Sequence, residues 1–318
     1  MIRLSGDRPV PAPARGAIVA LGNFDGLHVG HQAVVGRAIE RARAEGRPAM
    51  VATFDPHPAR LFRPDAPPFL LTTIPQRLDL FEAFGADAAL VLPFDRALAA
   101  VSPEGFVGDW LHERIGAAGI VTGEDFTFGQ NRAGDTAALA RLAATHGMSA
   151  ETVPAVEAEG GVASSTRVRE HLRAGEMEAA ARLLTRPFAI RGEVQHGDKL
   201  GRTIGFPTAN LTLGDYLRPA YGIYAVRGRL EDGRVLEGAA NLGIRPQFDP
   251  PKELLEPHFF DFSGDLYGQT ITVELIARLR GEAKFDSLEA LTAQIEADCA
   301  EARRVLATWK LAGSPAAL

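Results

Sequence analysis

The stretch AIVALGNFDGLHVGH, residues 17–31, joins a short apolar run to a glycine-rich turn. The apolar run predicts a buried strand, and the i, i+4, i+7 spacing of the apolar residues that come after the turn predicts a helix over residues 30–46. A turn between a strand and a helix presents free backbone N–H groups and the positive end of the helix to an anion. The stretch therefore predicts a phosphate-binding loop in a fold that mixes strands and helices.

Two histidines and three glycines give this turn its chemistry. The glycines allow the backbone to approach a phosphate closely, and His28 and His31 are three residues apart, so both can aim at one phosphate group. The residues predicted to bind the nucleotide here are Gly22, Asn23, Phe24, Asp25 and Gly30. The alternative is a glycine-rich turn that carries two solvated histidines.

Short apolar runs continue to alternate with helical patterns through the first half of the chain. The further strands are predicted at residues 49–54, 88–93, 118–122 and 149–154. The further helices are predicted at residues 75–85, 103–115 and 136–146. This alternation is typical of βαβ units and predicts a parallel sheet with helices on both faces. The GxGxxG pattern of dinucleotide-binding dehydrogenases is absent, which argues against that class.

The pattern changes near Leu184 to short alternating strands. Residues 223–230 and 234–240 flank a Glu-Asp-Gly turn, which indicates a hairpin. TITVEL, residues 270–275, alternates polar and apolar letters. Such a density of strands predicts a small antiparallel β-barrel.

One long amphipathic helix is predicted after the barrel, over residues 287–309, with Asp286 and Glu289 capping its start. Its apolar stripe is predicted to consist of Leu288, Leu291, Ile295 and Cys299. Two domains follow from these patterns, at residues 1–186 and 187–318.

The composition is that of an ordinary globular protein. The 318 residues carry 34 Lys and Arg against 40 Asp and Glu, so the formal net charge is −6. This acidic balance disfavours nonspecific nucleic-acid binding, and the single cysteine excludes an internal disulfide. No apolar run is long enough to span a bilayer, and the N-terminal residues lack a signal-peptide core. We therefore expect a cytoplasmic protein without membrane or nucleic-acid partners, and leave open whether it forms a homo-oligomer.

Two segments at the ends of predicted strands carry aromatic side chains. TFDPHP, residues 53–58, follows the second strand, and GEDFTFG, residues 123–129, follows the fourth. Both would lie at the sheet edge where ligands of such folds collect, and aromatic side chains there can stack on a flat substrate. The residues predicted to contact that substrate are Phe54, Pro56, His57, Asp125, Phe126 and Phe128. For the three phenylalanines, packing in the core is an equal alternative.

The run SSTRVR, residues 164–169, opens a short helix. Its hydroxyls are either helix N-caps or phosphate ligands. An arginine in the first turns favours phosphate, because a guanidinium can grip a phosphate with two hydrogen bonds. The residues predicted to bind phosphate here are Ser164, Ser165, Thr166 and Arg169.

A second glycine-rich stretch, GEVQHGDKLGRTIGFPTANL at residues 192–211, opens the second half. It lacks the GxxxxGK[ST] pattern of a Walker A loop. Thr208 and Asn210 are two residues apart, so they face the same side of an extended segment, and their oxygens suit Mg²⁺. The residues predicted to wrap phosphates are Gly197, Lys199, Gly201 and Gly205. The alternative is a turn with local side-chain hydrogen bonds.

The first loop resembles the HxGH signature of nucleotidyltransferases. Together, the segments are similar, in type and order, to those of bacterial bifunctional riboflavin kinase/FAD synthetases. The resemblance implies a Rossmann-like FMN adenylyltransferase domain followed by a riboflavin kinase barrel, with ATP, riboflavin and FMN as small-molecule partners and FAD as product. It implies that Mg²⁺ arrives with ATP at Thr208 and Asn210. It also implies that Glu256, in LEPHFFDF, is the catalytic glutamate of the kinase and that His28 and His31 stabilise charge in the adenylyltransferase.

One departure from the family pattern is Gln247, where bacterial members carry Thr, and the residues 249–252 that follow are also unusual. Two other functions stay open. One is an HxGH nucleotidyltransferase for another acceptor, which the PTAN stretch at residues 207–210 disfavours. The other is a flavin-binding regulator without catalysis, which is disfavoured because the histidines and Glu256 are present.

Overall fold

The computed structural model describes residues 1–196, 205–245 and 252–310. The sequence predictions that fall outside these ranges concern Gly197, Lys199, Gly201, Gln247 and residues 249–251.

The chain divides into two compact units. The first unit consists of Met1–Pro67 and Thr73–Ser164, and the second of Pro68–Thr72 and the chain from Ser165 onward. The boundary between residues 186 and 187 drawn from the sequence divides the chain at another place and stays a prediction.

Six parallel strands form the sheet of the first unit. They are β1 (Ile2–Ser5), β2 (Ile18–Leu21), β3 (Ala49–Asp55), β4 (Ala88–Pro93), β5 (Gly119–Gly123) and β6 (Ser149–Val153). Their order across the sheet is β1-β4-β3-β2-β5-β6, so the chain moves outward from β2 first to one side and then to the other. The strand order therefore reverses between β2 and β5, and in open parallel sheets such a reversal leaves a ligand-binding crevice at the carboxyl ends of the strands.

Helices cover both faces of this sheet. Val19 and Leu21 enter one apolar cluster, while Ile18 and Ala20 of the same strand enter another. All four residues are at most 1% exposed, as is typical of a parallel strand with two covered faces. The helices are α1 (Val29–Ala44), α2 (Pro58–Phe62), α3 (Ile74–Ala83), α4 (Arg96–Ala99), α5 (Pro103–Gly105), which continues as a π-helical segment (Phe106–Ile115), and α6 (Thr136–Thr145). The predicted α/β fold is confirmed.

The sequence did not predict the edge strand β1, which pairs with β4. Three of its four residues are exposed, so it lacks the apolar run that marks the other strands. A small hairpin, also unpredicted, is formed by β7 (Glu157–Ala158) and β8 (Gly161–Val162). Strands with so little burial leave no periodic signal in the sequence.

Six antiparallel strands form the sheet of the second unit, in the order β10-β13-β12-β11-β14-β9. They are β9 (Phe188–Glu193), β10 (Leu211–Thr212), β11 (Gly222–Leu230), β12 (Val235–Arg245), β13 (Lys252–Phe259) and β14 (Thr270–Arg280). A bridge between Gln195 and Asn210, whose N–H and carbonyl are 2.9 Å apart, joins the two ends of the sheet and closes it. Ile271, Val273 and Leu275 are at most 1% exposed, so the predicted barrel with one buried face is confirmed.

Two helices and a segment from earlier in the chain complete the second unit. They are α7 (Ser165–Ala174), α8 (Met177–Leu184) and Pro68–Thr72. Leu70 forms a parallel bridge with Tyr216, and the N–H of Ala220 donates to the carbonyl of Leu172 at 3.0 Å. These contacts explain why the second unit begins earlier than the barrel itself.

The last helix, α9 (Leu288–Thr308), packs against the outer side of the barrel. Ala302 and Leu306 form an apolar cluster with Ala225 and Ala239, which alternate with residues of the barrel interior. The predicted C-terminal helix is therefore confirmed, and it rests on the barrel with its second half.

Two details of this helix differ from the sequence predictions. Its N-cap is Ser287, whose hydroxyl accepts from the N–H of Ala290 at 3.1 Å, so the predicted cap by Asp286 is wrong, while Glu289 lies in the first turn and hydrogen-bonds Ser287. Leu288 is 56% exposed, so the predicted apolar stripe is wrong at its first member. The remaining members of the stripe, Leu291, Ile295 and Cys299, line a cavity.

An ion pair holds α9 to β14. The guanidinium of Arg280 donates to both carboxylate oxygens of Asp298, at 2.8 and 2.6 Å, and the amide of Gln294 donates to the same carboxylate at 3.0 Å. The side chain of Asp298 is only 8% exposed, so its charge is largely removed from water. A carboxylate in that position is stable only while these donors remain.

We expect Asp298→Asn to lower the free energy of unfolding of the second unit by about 2 kcal/mol, because a charge-assisted hydrogen bond is lost at a buried position. Urea unfolding followed by circular dichroism measures this change. Glu301→Gln is the matched control on the same helix, since it breaks the exposed pair with Arg304 and should leave the unfolding midpoint nearly unchanged. An equal loss in both variants would contradict the role given to Asp298.

Candidate active sites

The glycine-rich turn lies where the sheet of the first unit offers a crevice. It follows the carboxyl end of β2, and residues 124–129 follow the carboxyl end of the neighbouring strand β5. Phe24 and Leu27 have positive φ angles, 49° and 45°, in the left-handed region that side chains rarely adopt. Both are at most 2% exposed, so packing holds this unusual backbone in place.

The two histidines of the turn lie together at the start of α1. Their rings stack with centroids 3.7 Å apart. His28 is the N-cap, and its Nδ1 accepts from the N–H of Gly30 at 3.2 Å, so the neutral ring carries its proton on Nε2. His28 is only 5% exposed, which excludes the alternative of a solvated histidine at that position.

A buried arginine that the sequence analysis missed organises the same turn. The guanidinium of Arg77, on α3, donates to the carbonyl of Asn23 at 3.0 Å and pairs with the carboxylate of Asp25 at 3.4 Å. Arg77 and Asp25 are 2% and 1% exposed. The hydroxyl of Thr53, at the end of β3, donates to the same carbonyl at 2.8 Å. The signal that could have found Arg77 is its place one turn before Phe81 on the apolar face of a helix.

Two buried polar atoms at this crevice have no hydrogen-bond partner among the described residues. One is Oδ1 of Asn23, in the turn that follows β2. The other is Oγ1 of Thr122, near the end of the neighbouring strand β5. Native proteins rarely leave buried polar groups unpaired. Asn23 belongs to the same turn as the two histidines, so its unpaired oxygen supports a polar ligand at the crevice.

The six residues predicted to contact a flat substrate have different environments. Phe54 and Phe128 are 8% and 6% exposed and belong to an apolar core cluster, so for them the core alternative is the better description. Phe126 is partly buried and stacks on Phe128 with ring centroids 5.8 Å apart. His57 caps α2 by accepting from the N–H of Ala59 at 3.1 Å. The exposed members of the set are Pro56 and Asp125.

The residues of the SSTRVR run are divided between the two compact units. Ser164 belongs to the first unit, and Ser165, Thr166 and Arg169 lie on α7 in the second. Within the second unit, the guanidinium of Arg169 donates to the carbonyl of Phe69 at 2.9 Å and lies over its ring at 5.5 Å.

A cavity of about 520 Å³ opens on the outer side of the barrel in the second unit. Thr208, Asn210 and Glu256, three residues singled out from the sequence, all line it. Gly205, the described member of the predicted phosphate loop, is exposed and has open space where a Cβ would be. The cavity also receives Leu291, Ile295 and Cys299 of α9, which supply an apolar wall.

Hydrogen bonds hold the Thr208 segment against the strand that carries Glu256. The N–H of Ala209 donates to the carbonyl of Pro257 at 2.9 Å, and Nδ1 of His258 lies 2.9 Å from the carbonyl of Pro207. These contacts fix the oxygens of Thr208 close to β13. The sequence alone could not place these segments side by side, because about 50 residues separate them.

The face of the β12–β13 ladder that lines the cavity carries more polar groups than the sequence analysis named. Asn241 lies directly opposite Glu256, and its Oδ1 is a third buried side-chain atom without a partner among the described residues. Arg245 pairs with Glu256, and one of its nitrogens lies 3.9 Å from the carboxylate of Glu282. A strand alternation argument could have put Asn241 and Arg245 on one face.

The thiol of Cys299 lies at the cavity wall and is unreactive near neutral pH. Burial, together with the nearby charge of Asp298, raises the pKa of Cys299 to about 11. The thiol therefore stays protonated near neutral pH, and it serves the cavity as an apolar surface.

Comparison with known proteins assigns the two parts of the chain to two family models. A family model described as FAD synthetase matches residues 10–167, and one described as riboflavin kinase matches residues 184–306. Proteins named bifunctional riboflavin kinase/FMN adenylyltransferase match over nearly their whole length. The Escherichia coli K12 protein is 39% identical over 94% of this chain and 96% of its own. The Pseudomonas fluorescens protein is 41% identical over 92% and 94%, and the Bacillus subtilis protein 36% over 91% and 92%.

A solved structure described as a macrolide-efflux protein from Streptococcus pneumoniae matches with a TM-score of 0.85 and 31% sequence identity, over 98% of this chain and 100% of that one. In the described ranges of this chain, no helix is both long and apolar enough to cross a membrane. The two family models match successive parts of the chain, and the curated relatives named above cover more than nine-tenths of it. The chain therefore belongs to the family of bifunctional riboflavin kinase/FMN adenylyltransferases.

Proposed function

We propose that the two reactions of this bifunctional enzyme are divided between the two units. The enzyme phosphorylates riboflavin to FMN with ATP and then adenylylates FMN to FAD with release of pyrophosphate. In the proposal, the cavity around Glu256 carries out the first reaction, and the crevice around His28 and His31 carries out the second. The observation that carries this division is that Thr208, Asn210 and Glu256 line one cavity in the part of the chain matched by the riboflavin kinase family.

In the kinase reaction, the terminal hydroxyl of the ribityl chain attacks the γ-phosphorus of ATP. Glu256 takes the proton of that hydroxyl, and ADP leaves. The carboxylate is only 17% exposed, so few water molecules compete with the substrate for it. The apolar wall formed by α9 suits the flat ring system of a flavin.

The donors in the cavity fit a magnesium ion that arrives with ATP. Thr208 and Asn210 offer oxygen atoms on one side of the cavity, and Asn210 is 7% exposed. Among the described residues there is no group of three His, Cys, Asp or Glu side chains placed to hold a metal, so phosphates and water would complete the ligand set. When bound, Mg²⁺ would offset negative charge on the phosphates.

In the adenylyl transfer, the phosphate of FMN attacks the α-phosphorus of a second ATP, and pyrophosphate leaves. His28 and His31 stabilise the charge that grows on the α-phosphate, since their stacked rings lie at the N-terminus of α1. The Arg77–Asp25 pair does not touch this phosphate in the proposal. It holds the backbone of the turn so that the histidines keep their positions.

Two finer parts of the proposal concern organisation. We place the catalytic barrel at residues 187–318 and the adenylyltransferase at 1–186, although the compact units divide at Ser164 and Ser165. We also propose that the protein acts in the cytoplasm, on the small molecules ATP, riboflavin and FMN.

We expect His31→Ala to slow FMN adenylylation by about 10²–10³, which is typical for the loss of one donor to a developing charge. Riboflavin phosphorylation should be unchanged, so FMN should accumulate when the variant receives riboflavin and ATP. Chromatography of the flavins measures both steps. The control is His146→Ala, which removes an exposed histidine outside the turn. A similar loss in both reactions would show that His31 has another role.

We expect Glu256→Gln to slow riboflavin phosphorylation by about 10²–10⁴, since a positioned general base contributes that much. Externally supplied FMN should still become FAD. Glu237→Gln is the matched control, because Glu237 is an exposed carboxylate on the adjacent strand and also pairs with an arginine. If the Glu256→Gln enzyme phosphorylates riboflavin at the normal rate, Glu256 is not the base.

We expect a fragment of residues 187–318 to phosphorylate riboflavin, because it contains every strand of the barrel and α9. It should unfold at a lower urea concentration than a fragment of residues 165–318, since it lacks α8, whose Leu183 and Leu184 are at most 1% exposed. Activity and unfolding midpoints of both fragments test this. If the shorter fragment is folded but inactive, the proposed domain boundary is wrong.

A further inference from the structure

Only two arginine or lysine side chains line the cavity among the described residues, Arg245 and Arg280. Phosphoryl transfer concentrates negative charge on the transferring group, and enzymes stabilise it with positive charges at close range. The two arginines are therefore the described cavity residues able to meet that charge directly.

The guanidinium of Arg280 is held by hydrogen bonds to other groups of the protein. It donates to both oxygens of Asp298 at 2.8 and 2.6 Å, and its remaining terminal nitrogen donates to the carbonyl of Gly281 at 2.9 Å. Removing Arg280 from Asp298 would leave a carboxylate that is 8% exposed without its main donor. Its role is to hold α9, so it does not offer a charge to the substrate.

Among the described residues, Arg245 makes fewer hydrogen bonds than Arg280. Its guanidinium pairs with Glu256 and approaches Glu282 to 3.9 Å, and the side chain of Glu282 is 42% exposed. Gly243 gives Glu282 room there, since a Cβ at that position would collide with its carboxylate. Arg245 thus lies between the carboxylates of Glu256 and Glu282 on the wall of the cavity.

The proposed role of Glu256 fixes where the phosphoryl group must be. A base accepts a proton from a hydroxyl about 2.7 Å away, and a near-attack hydroxyl lies about 3–3.5 Å from the atom it attacks. The γ-phosphoryl oxygens therefore come within reach of any guanidinium that contacts Glu256. The oxygen of Glu256 that accepts from the guanidinium is occupied while the pair is closed, so the pair must open before that oxygen can accept the hydroxyl proton.

We propose that Arg245 is a further catalytic residue of the kinase, which exchanges Glu256 for the γ-phosphoryl group of ATP. This inference rests on the proposed role of Glu256. The exchange has two effects: the carboxylate becomes free to accept the hydroxyl proton, and the guanidinium offsets charge on the transferring group with two parallel hydrogen bonds. The arrival of ATP thereby activates the base.

The first test compares Arg245→Ala and Arg245→Lys in the full-length chain. Arg245→Ala should lower kcat for riboflavin phosphorylation by about 10²–10³ and should bind a non-hydrolysable ATP analogue at least tenfold more weakly while its affinity for ADP changes little. Arg245→Lys should recover part of kcat, because lysine keeps the positive charge but cannot form the two parallel hydrogen bonds of a guanidinium. FMN adenylylation should stay within twofold, which reports an intact protein.

Arg229→Ala is the matched control, since Arg229 is 54% exposed, pairs with a carboxylate, Glu274, and does not line the cavity. It should leave both reactions unchanged. If Arg245→Ala weakens the analogue and ADP equally, or weakens neither, the guanidinium does not contact the γ-phosphoryl group and the proposal is overturned.

The second test is the double variant Arg245→Ala, Glu256→Gln. If Arg245 merely orients Glu256, its removal has no further effect once the base is gone, and the proposal fails. If Arg245 acts on the phosphoryl group, the double variant should be at least tenfold slower than Glu256→Gln alone. Normal activity of Glu256→Gln by itself would overturn the role of Glu256, while the nucleotide affinities would still decide whether Arg245 contacts the γ-phosphoryl group.

Discussion

Arg77 is almost fully buried in the first unit, and its charge is balanced by Asp25 and by nearby oxygen atoms. An unpaired charge at that depth would cost several kcal/mol, so the chain around it has few alternatives. Because the partners of Arg77 belong to the glycine-rich turn and to the end of β3, satisfying one charge fixes the backbone on which His28 and His31 are mounted. Together with the packing of Phe24 and Leu27, this pairing holds the unusual φ angles of the turn in place.

The second unit also contains a largely buried ion pair, but this pair positions a helix. The pair between Arg280 and Asp298 holds α9 over the barrel, and the first half of that helix then roofs a cavity instead of filling a core. A helix that packed along its whole length would fill this cavity. Leu288 is exposed and Ala302 is buried because only the second half of the helix touches strands.

The sequence predicted well those features that depend on local patterns. Buried strands such as β2 have apolar runs, the two glycine-rich stretches are contiguous, and both therefore have clear signals in the sequence. Arg77 and Arg245 were missed because each acts through residues far away along the chain or across a ladder, and neither belongs to a recognisable run. The cap at Ser287 was missed because serine and aspartate are nearly equivalent caps, so only the backbone conformation decides between them.

The register of the β12–β13 ladder places neighbouring side chains of β13 in two different environments. Leu255 is fully buried in the barrel, while its neighbour Glu256 faces the cavity opposite Asn241. Side chains alternate along a strand, so sliding β13 by a single residue would send the carboxylate into the apolar interior and the leucine to the cavity. The alternation that buries Leu255 in the core is the same alternation that turns Glu256 toward the cavity. A misaligned barrel is therefore destabilised by a charge in its apolar interior, and the correct register that avoids this cost also places Glu256 on the cavity side.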